Sequence, residues 1–90
     1  MSSRKVLLSS TAWTAVTLAA EVNGSILMSV GDAVFTEAAA LPTTSIQDTP
    51  LLDKLVAGDR TQFYGVGASD LIYGRAITET ATADVSPSGA

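Results

Sequence analysis

The run Leu71-Ile72-Tyr73-Gly74-Arg75-Ala76-Ile77-Thr78-Glu79-Thr80-Ala81-Thr82-Ala83-Asp84-Val85 decides the reading of this chain. It is rich in β-branched and aromatic types, which suit a pleated, half-buried surface. It has no Gly-Pro break, no capping box and no apolar stripe at helical spacing. The run therefore predicts a final strand or strand pair, bent at Gly74.

Working back from it, turn signals recur at the intervals of about 8–12 residues expected of a sandwich or small barrel. Ala68-Ser69-Asp70, Gly58-Asp59, Gly31-Asp32 and Asn23-Gly24 mark them. Strands are predicted at Thr61 to Val66, at Ala33 to Thr36 and at Ser25 to Val30. Ile26, Met28 and Val30 share one face of the last of these. Ala12 to Val22 alternates, with Val16, Leu18, Ala20 and Val22 on one side, and reads as a half-buried strand. Joining it to Ser25–Val30 through a three-residue loop sets Val22 opposite Ile26, Ala20 opposite Met28 and Leu18 opposite Val30. That register gathers six apolar residues on one face, because a one-residue slip swaps faces. Glu37 to Leu41 is Ala-rich and predicts one helical turn ended by Pro42. Thr43 to Asp48 reads as extended, and Leu51 to Leu55 as a loop or short helix. The fold class is all-β: a small antiparallel β-sandwich or jelly-roll-like barrel of about 6–8 short strands. Residues 1–11 read as an N-terminal arm with a short strand at Lys5 to Ser9. Residues 12–86 form the β-sandwich domain and 87–90 the C-terminal tail, which neighbours in an assembly are expected to hold.

Composition narrows the chemistry. The 90 residues include no Cys and no His. Disulfides and thiolate–zinc sites are excluded, and with them the usual nucleophile–base pairs. A domain this size needs some added staple, and association with other chains is the one that remains. Charged residues are only 16% of the chain against 47% hydrophobic, where about 25% charged is usual. Part of the surface is therefore expected to be covered by another chain. The five basic residues, Arg4, Lys5, Lys54, Arg60 and Arg75, are scattered in a chain of net charge −4. Such a distribution gives no stripe for phosphates, so no nucleic-acid partner is expected. No apolar stretch is long enough to span a membrane. Ser9, Ser10, Thr11, Thr14 and Thr17 interrupt the would-be core of a signal peptide, so the N-terminus is expected to be kept.

The acids Asp32, Asp48, Asp53, Asp59, Asp70 and Asp84 mostly fall at predicted turns, where their side chains bond nearby backbone. Gly65-Val66-Gly67 lacks the Gly, Lys and helix of a phosphate loop and reads as a strand end. No catalytic, cofactor-binding or metal-binding residue is expected, and no cofactor. Trp13, Tyr64 and Tyr73 are candidate interface residues, since Trp and Tyr favour interface centres. Trp13 and Tyr73 stand on strands whose opposite face is apolar, so each faces either the core or a neighbour subunit.

The order Trp13-Thr14-Ala15-Val16-Thr17, then Leu55-Val56-Ala57-Gly58-Asp59 leading to Phe63-Tyr64-Gly65, then Leu71-Ile72-Tyr73-Gly74-Arg75-Ala76 and a Thr/Ala-rich final strand to Val85 resembles small accessory proteins of tailed-bacteriophage virions. These are capsid decoration or cement proteins and β-rich domains of head or tail fibres. The likeness spans most of residues 12–86 and departs from the family at Glu37 to Leu41. It implies a non-enzymatic homotrimer or homodimer on the outer surface of the shell. There it would clamp neighbouring copies of the major capsid protein after synthesis in the host cytoplasm. The alternative is a receptor- or glycan-binding β domain of a phage fibre or tail.

Overall fold

The computed structural model describes residues 3–18, 21, 23–43, 45–66 and 70–87. Eight strands lie among them: β1 Arg4–Ser9, β2 Thr14–Ala15, β3 Gly24–Val30, β4 Ala33–Ala38, β5 Asp53–Leu55, β6 Arg60–Phe63, β7 Leu71–Ala76 and β8 Thr80–Pro87. One 3-10 turn, Ile46–Asp48, lies between β4 and β5. Two antiparallel sheets result, in the orders β1-β8-β3-β6 and β2-β7-β4-β5. β1 pairs with β8, β2 with β7, β3 with β6 and β4 with β5. Each of those pairs sums to nine, so the chain is one long hairpin rolled into two layers. The contacts of β8 with β3 and of β7 with β4 close the roll. This is the topology of the eight-stranded jelly roll.

The decisive run is a strand pair, and its two halves lie in opposite sheets. The bend falls at 77–79, where Glu79 takes a φ of 42°, and not at Gly74. Gly74 has a packing cause instead. A Cβ there would stand 2.9 Å from the Phe35 ring and 3.1 Å from a Val16 methyl, so the bare backbone makes room for the largest core side chain.

The pleat of β8 aims Ala81, Ala83 and Val85 inward, while Thr82, Asp84 and Ser86 are half-buried on the outer face. Small inward residues on this central strand let the facing sheet bring Phe35, Ile72 and Ala76 close. Leu8, Val16, Ile26, Met28 and Phe63 complete the core.

Several expectations change. Lys5 to Ser9 is a strand as read, but it is no arm: β1 pairs with β8 over all six residues and buries Leu8 completely. Of the expected Ala12–Val22 strand, Thr14–Ala15 alone is strand among the described residues, and β3 pairs with β6 and β8 in place of the predicted hairpin with Ser25–Val30. Ile26 instead faces Thr61 and Val85, Met28 faces Ala83 and Val30 faces Thr82. Ala20 and Val22 lie outside the described residues. Val16 is buried while Leu18 is 58% exposed, and the Glu21 N–H donates to the Leu18 carbonyl. The shared face of Ile26, Met28 and Val30 is also broken. A bulge between Met28 and Val30 shifts the register, and Val30 turns outward at 58% exposure.

Asn23-Gly24 is not a hairpin turn. The Asn23 side-chain oxygen accepts from the Gly65 N–H, and Gly24 opens β3 beneath the Phe63 ring. Glu37 and Ala38 extend β4, opposite Ile72 and Leu71, so cross-strand pairing overrides the helical propensity of the Ala run. Thr43–Asp48 ends in the 3-10 turn, and Asp53–Leu55 is a short edge strand. Of the Ala68-Ser69-Asp70 turn, residues 68 and 69 lie outside the described residues, as do 88–90 of the tail. Among the described residues no helix is long and apolar enough to cross a membrane.

Candidate functional site

Two of the three expected interface aromatics are used inside the chain. Trp13 and Tyr73 are 5% and 6% exposed. With Val34 they make a second apolar cluster on the outer face of the β2-β7-β4-β5 sheet, and Ile46, Leu71 and Ala38 pack against it. The cause is the connection from β4 to β5, which folds back over that face. It is tied down where the Thr36 hydroxyl donates to the Pro50 carbonyl at 2.6 Å. Only Tyr64, 72% exposed, presents its ring to the surroundings. Its hydroxyl donates to the Gln62 side-chain oxygen.

Tyr64 stands at the mouth of a cleft of about 270 Å³ between the sheets, on the side bounded by the edge strands β5 and β6. Core side chains form the floor: Ile26, Phe35, Phe63, Val66 and Ile72. The rim carries Leu52, Thr61, Gln62 and the carboxylates of Glu37 and Asp53. Parity explains the acids. Glu37 continues the inward series Ala33, Phe35, and Asp53 lies opposite Phe35. The sequence held this signal, an acid at an inward position of β4, but the Ala-rich run hid the strand that carries it. Asp53 also accepts the Lys54 backbone N–H at 2.8 Å, which withholds that N–H from a further strand.

A second feature lies on the outer face of the other sheet. Lys5, Asp84, Leu27 and Arg60 form one row across the four strands. With Ser3, Arg4, Ser25 and Ser86 they line a shallow depression of about 360 Å³. Basic residues that are scattered in the sequence are thus gathered here: three of the five. Lys5 bridges Asp84 at 2.9 Å, and Ser3 and Ser86 share a hydroxyl hydrogen bond.

Arg4 is committed elsewhere. Its guanidinium donates to both oxygens of Glu21, at 2.8 and 2.7 Å, and to the Val16 carbonyl at 2.7 Å. Glu21, 7% exposed, also accepts the Leu18 N–H. This two-pronged pairing holds the Glu21 carboxyl below its usual range, chiefly through the Arg4 hydrogen bonds. The Arg4 pKa is raised in turn, first by the same bonds. The arrangement is a staple, joining the first strand to Val16, Leu18 and Glu21. Among the described residues no three acidic, His or Cys side chains cluster to hold a metal, and every buried side-chain nitrogen or oxygen has a partner.

The expected turn role of the acids fits Asp59, whose carboxylate accepts the Val56 N–H. Asp84 instead stands on β8 and faces Lys5. Gly65, at φ 59°, follows the end of β6. No family model, curated protein or solved structure matches the chain.

Proposed function

We propose that this protein is a non-enzymatic structural component of a virion, a capsid decoration or cement protein. It would bind the outer surface of the assembled shell as a homodimer or homotrimer and brace neighbouring copies of the major capsid protein. The observation that carries the reading is the apolar surface. Leu7, Leu18, Val30, Leu41, Leu52 and Tyr64 are each more than half exposed, on a chain with only fourteen charged residues, five basic and nine acidic. So many large exposed apolar side chains on so sparsely charged a chain support a surface that other chains cover. The jelly roll is a fold that viral capsid domains use, which supports the reading by analogy. Light scattering of the purified protein is expected to give the mass of a dimer or trimer. Co-sedimentation is expected with assembled shells but not with dissociated shell subunits. A monomer that binds both equally refutes the proposal.

A second reading, a receptor- or glycan-binding domain of a fibre or tail, draws on the depression around Arg60, Lys5 and the serines. Its hydroxyls and cations suit an acidic sugar, and lectins also use this fold. On a glycan array this reading expects binding to acidic glycans that Arg60→Ala abolishes. An array without hits removes it.

A further inference from the structure

We infer that the cleft between β5 and β6 is a docking site for a segment of another protein that presents one large apolar side chain beside a Lys or Arg. The inference does not depend on the virion reading. Three observations fix the occupant. The first is size: about 270 Å³ lies at the small end of the range for ligand sites, which begins near roughly 300 Å³, and can take a single large side chain. The second is charge. Among the described residues, Glu37 and Asp53 are the only Lys, Arg, Asp or Glu side chains lining the cleft. The basic residues of the same edge strands turn away: Arg60 lines the depression on the outer sheet face, and Lys54 lies opposite Val34, whose side chain packs in the outer cluster. An apolar floor with an acidic rim therefore selects a cation next to the inserted group. The third is the strand edge. Asp53 caps the Lys54 N–H, which disfavours strand addition along β5 and leaves side-chain insertion as the mode of binding.

An inward acid on an edge strand, as Asp53 is on β5, also discourages edge-to-edge aggregation. That role does not account for Leu52 and Tyr64, which stand at the mouth 54% and 72% exposed. Large apolar groups held at the opening of an apolar cleft are what an inserting side chain would close over.

The test is selection of a displayed library of random heptapeptides against the intact protein. Enrichment of a large aliphatic or aromatic residue within two positions of Lys or Arg is expected. A selected peptide should shift the methyl resonances of Ile26 and Ile72. The double variant Glu37→Gln, Asp53→Asn keeps an oxygen for the Lys54 N–H and should weaken that peptide about three- to tenfold. If this variant does not fold, Leu52→Ser with Tyr64→Ser serves instead, with the same loss expected. No enrichment, enrichment without basic residues, or methyl shifts elsewhere would overturn the inference. So would concentration-dependent shifts of the same methyls without peptide, since the occupant would then be a second copy of this chain.

Discussion

Phe35→Ala is expected to destabilise the protein by about 3–5 kcal/mol. The ring is 1% exposed and is the largest fully buried side chain. It reaches across β7 at Gly74, where even a Cβ would come within 2.9 Å. Truncation leaves a void that cannot collapse easily, because its walls come from two hydrogen-bonded sheets. A domain of this size has about 5–15 kcal/mol to lose, so the variant approaches the limit of folding. Urea denaturation of the variant beside the parent measures the loss directly. A loss under about 1 kcal/mol would show that Phe35 does not hold the two sheets together. Phe35 also forms part of the cleft floor, so peptide binding should weaken with stability. Variants of the rim would separate the two effects.

Glu21→Ala is expected to cost about 2–3 kcal/mol. It removes the acceptor of two Arg4 hydrogen bonds and of the Leu18 N–H. The cost falls below that of a fully buried ion pair because the Arg4 side chain is 29% exposed and water replaces part of what is lost. The pair also ties stability to pH. The Glu21 carboxyl is held below its ordinary 4.5 in the folded protein, so the unfolded chain binds its proton first as the medium becomes acidic. The stabilisation is therefore fully present above about pH 4.5 and drains away as pH falls through the lower folded value. Denaturation curves collected down the acidic range should show a shallower decline for Glu21→Gln than for the parent. Equal slopes would mean the Arg4–Glu21 pair is not formed in solution.

How much of this was legible beforehand differs from element to element. The all-β class and the strands at 25–30, 33–36 and 71–85 follow from alternation and turn residues, which are local. Pairing is not local. Alternation tells which face Met28 presents, but not that its partner is Ala83. The nearer candidate, 12–22, therefore looked like the natural mate. β5 escaped because three residues carry too little pattern and the preceding Leu51-Leu52 obscures what there is. The Ala run at 38–40 pulled Glu37 toward a helix, and with it went the acidic rim of the cleft. Trp13 and Tyr73 were readable as aromatics with two possible faces. What decides between the faces is the fold-back of the 39–52 connection, which depends on the Thr36–Pro50 bond and on Ile46, far from both in sequence. Arg4 and Glu21 gave no signal at all, since nothing in their spacing says that β1 and Glu21 meet.

The rolled hairpin also gives the molecule a direction. Arg4 lies directly opposite Val85, so β1 begins where β8 ends, while the bends at Gly31 and Glu79 gather at the far end. A polypeptide joined before Arg4 or after Pro87 would depart from one pole and leave the other pole bare. The domain is therefore built like a plug with both leads on one side. Cargo grafted at either end, or at both, would project together from a single pole and leave the outer face of the β1-β8-β3-β6 sheet open.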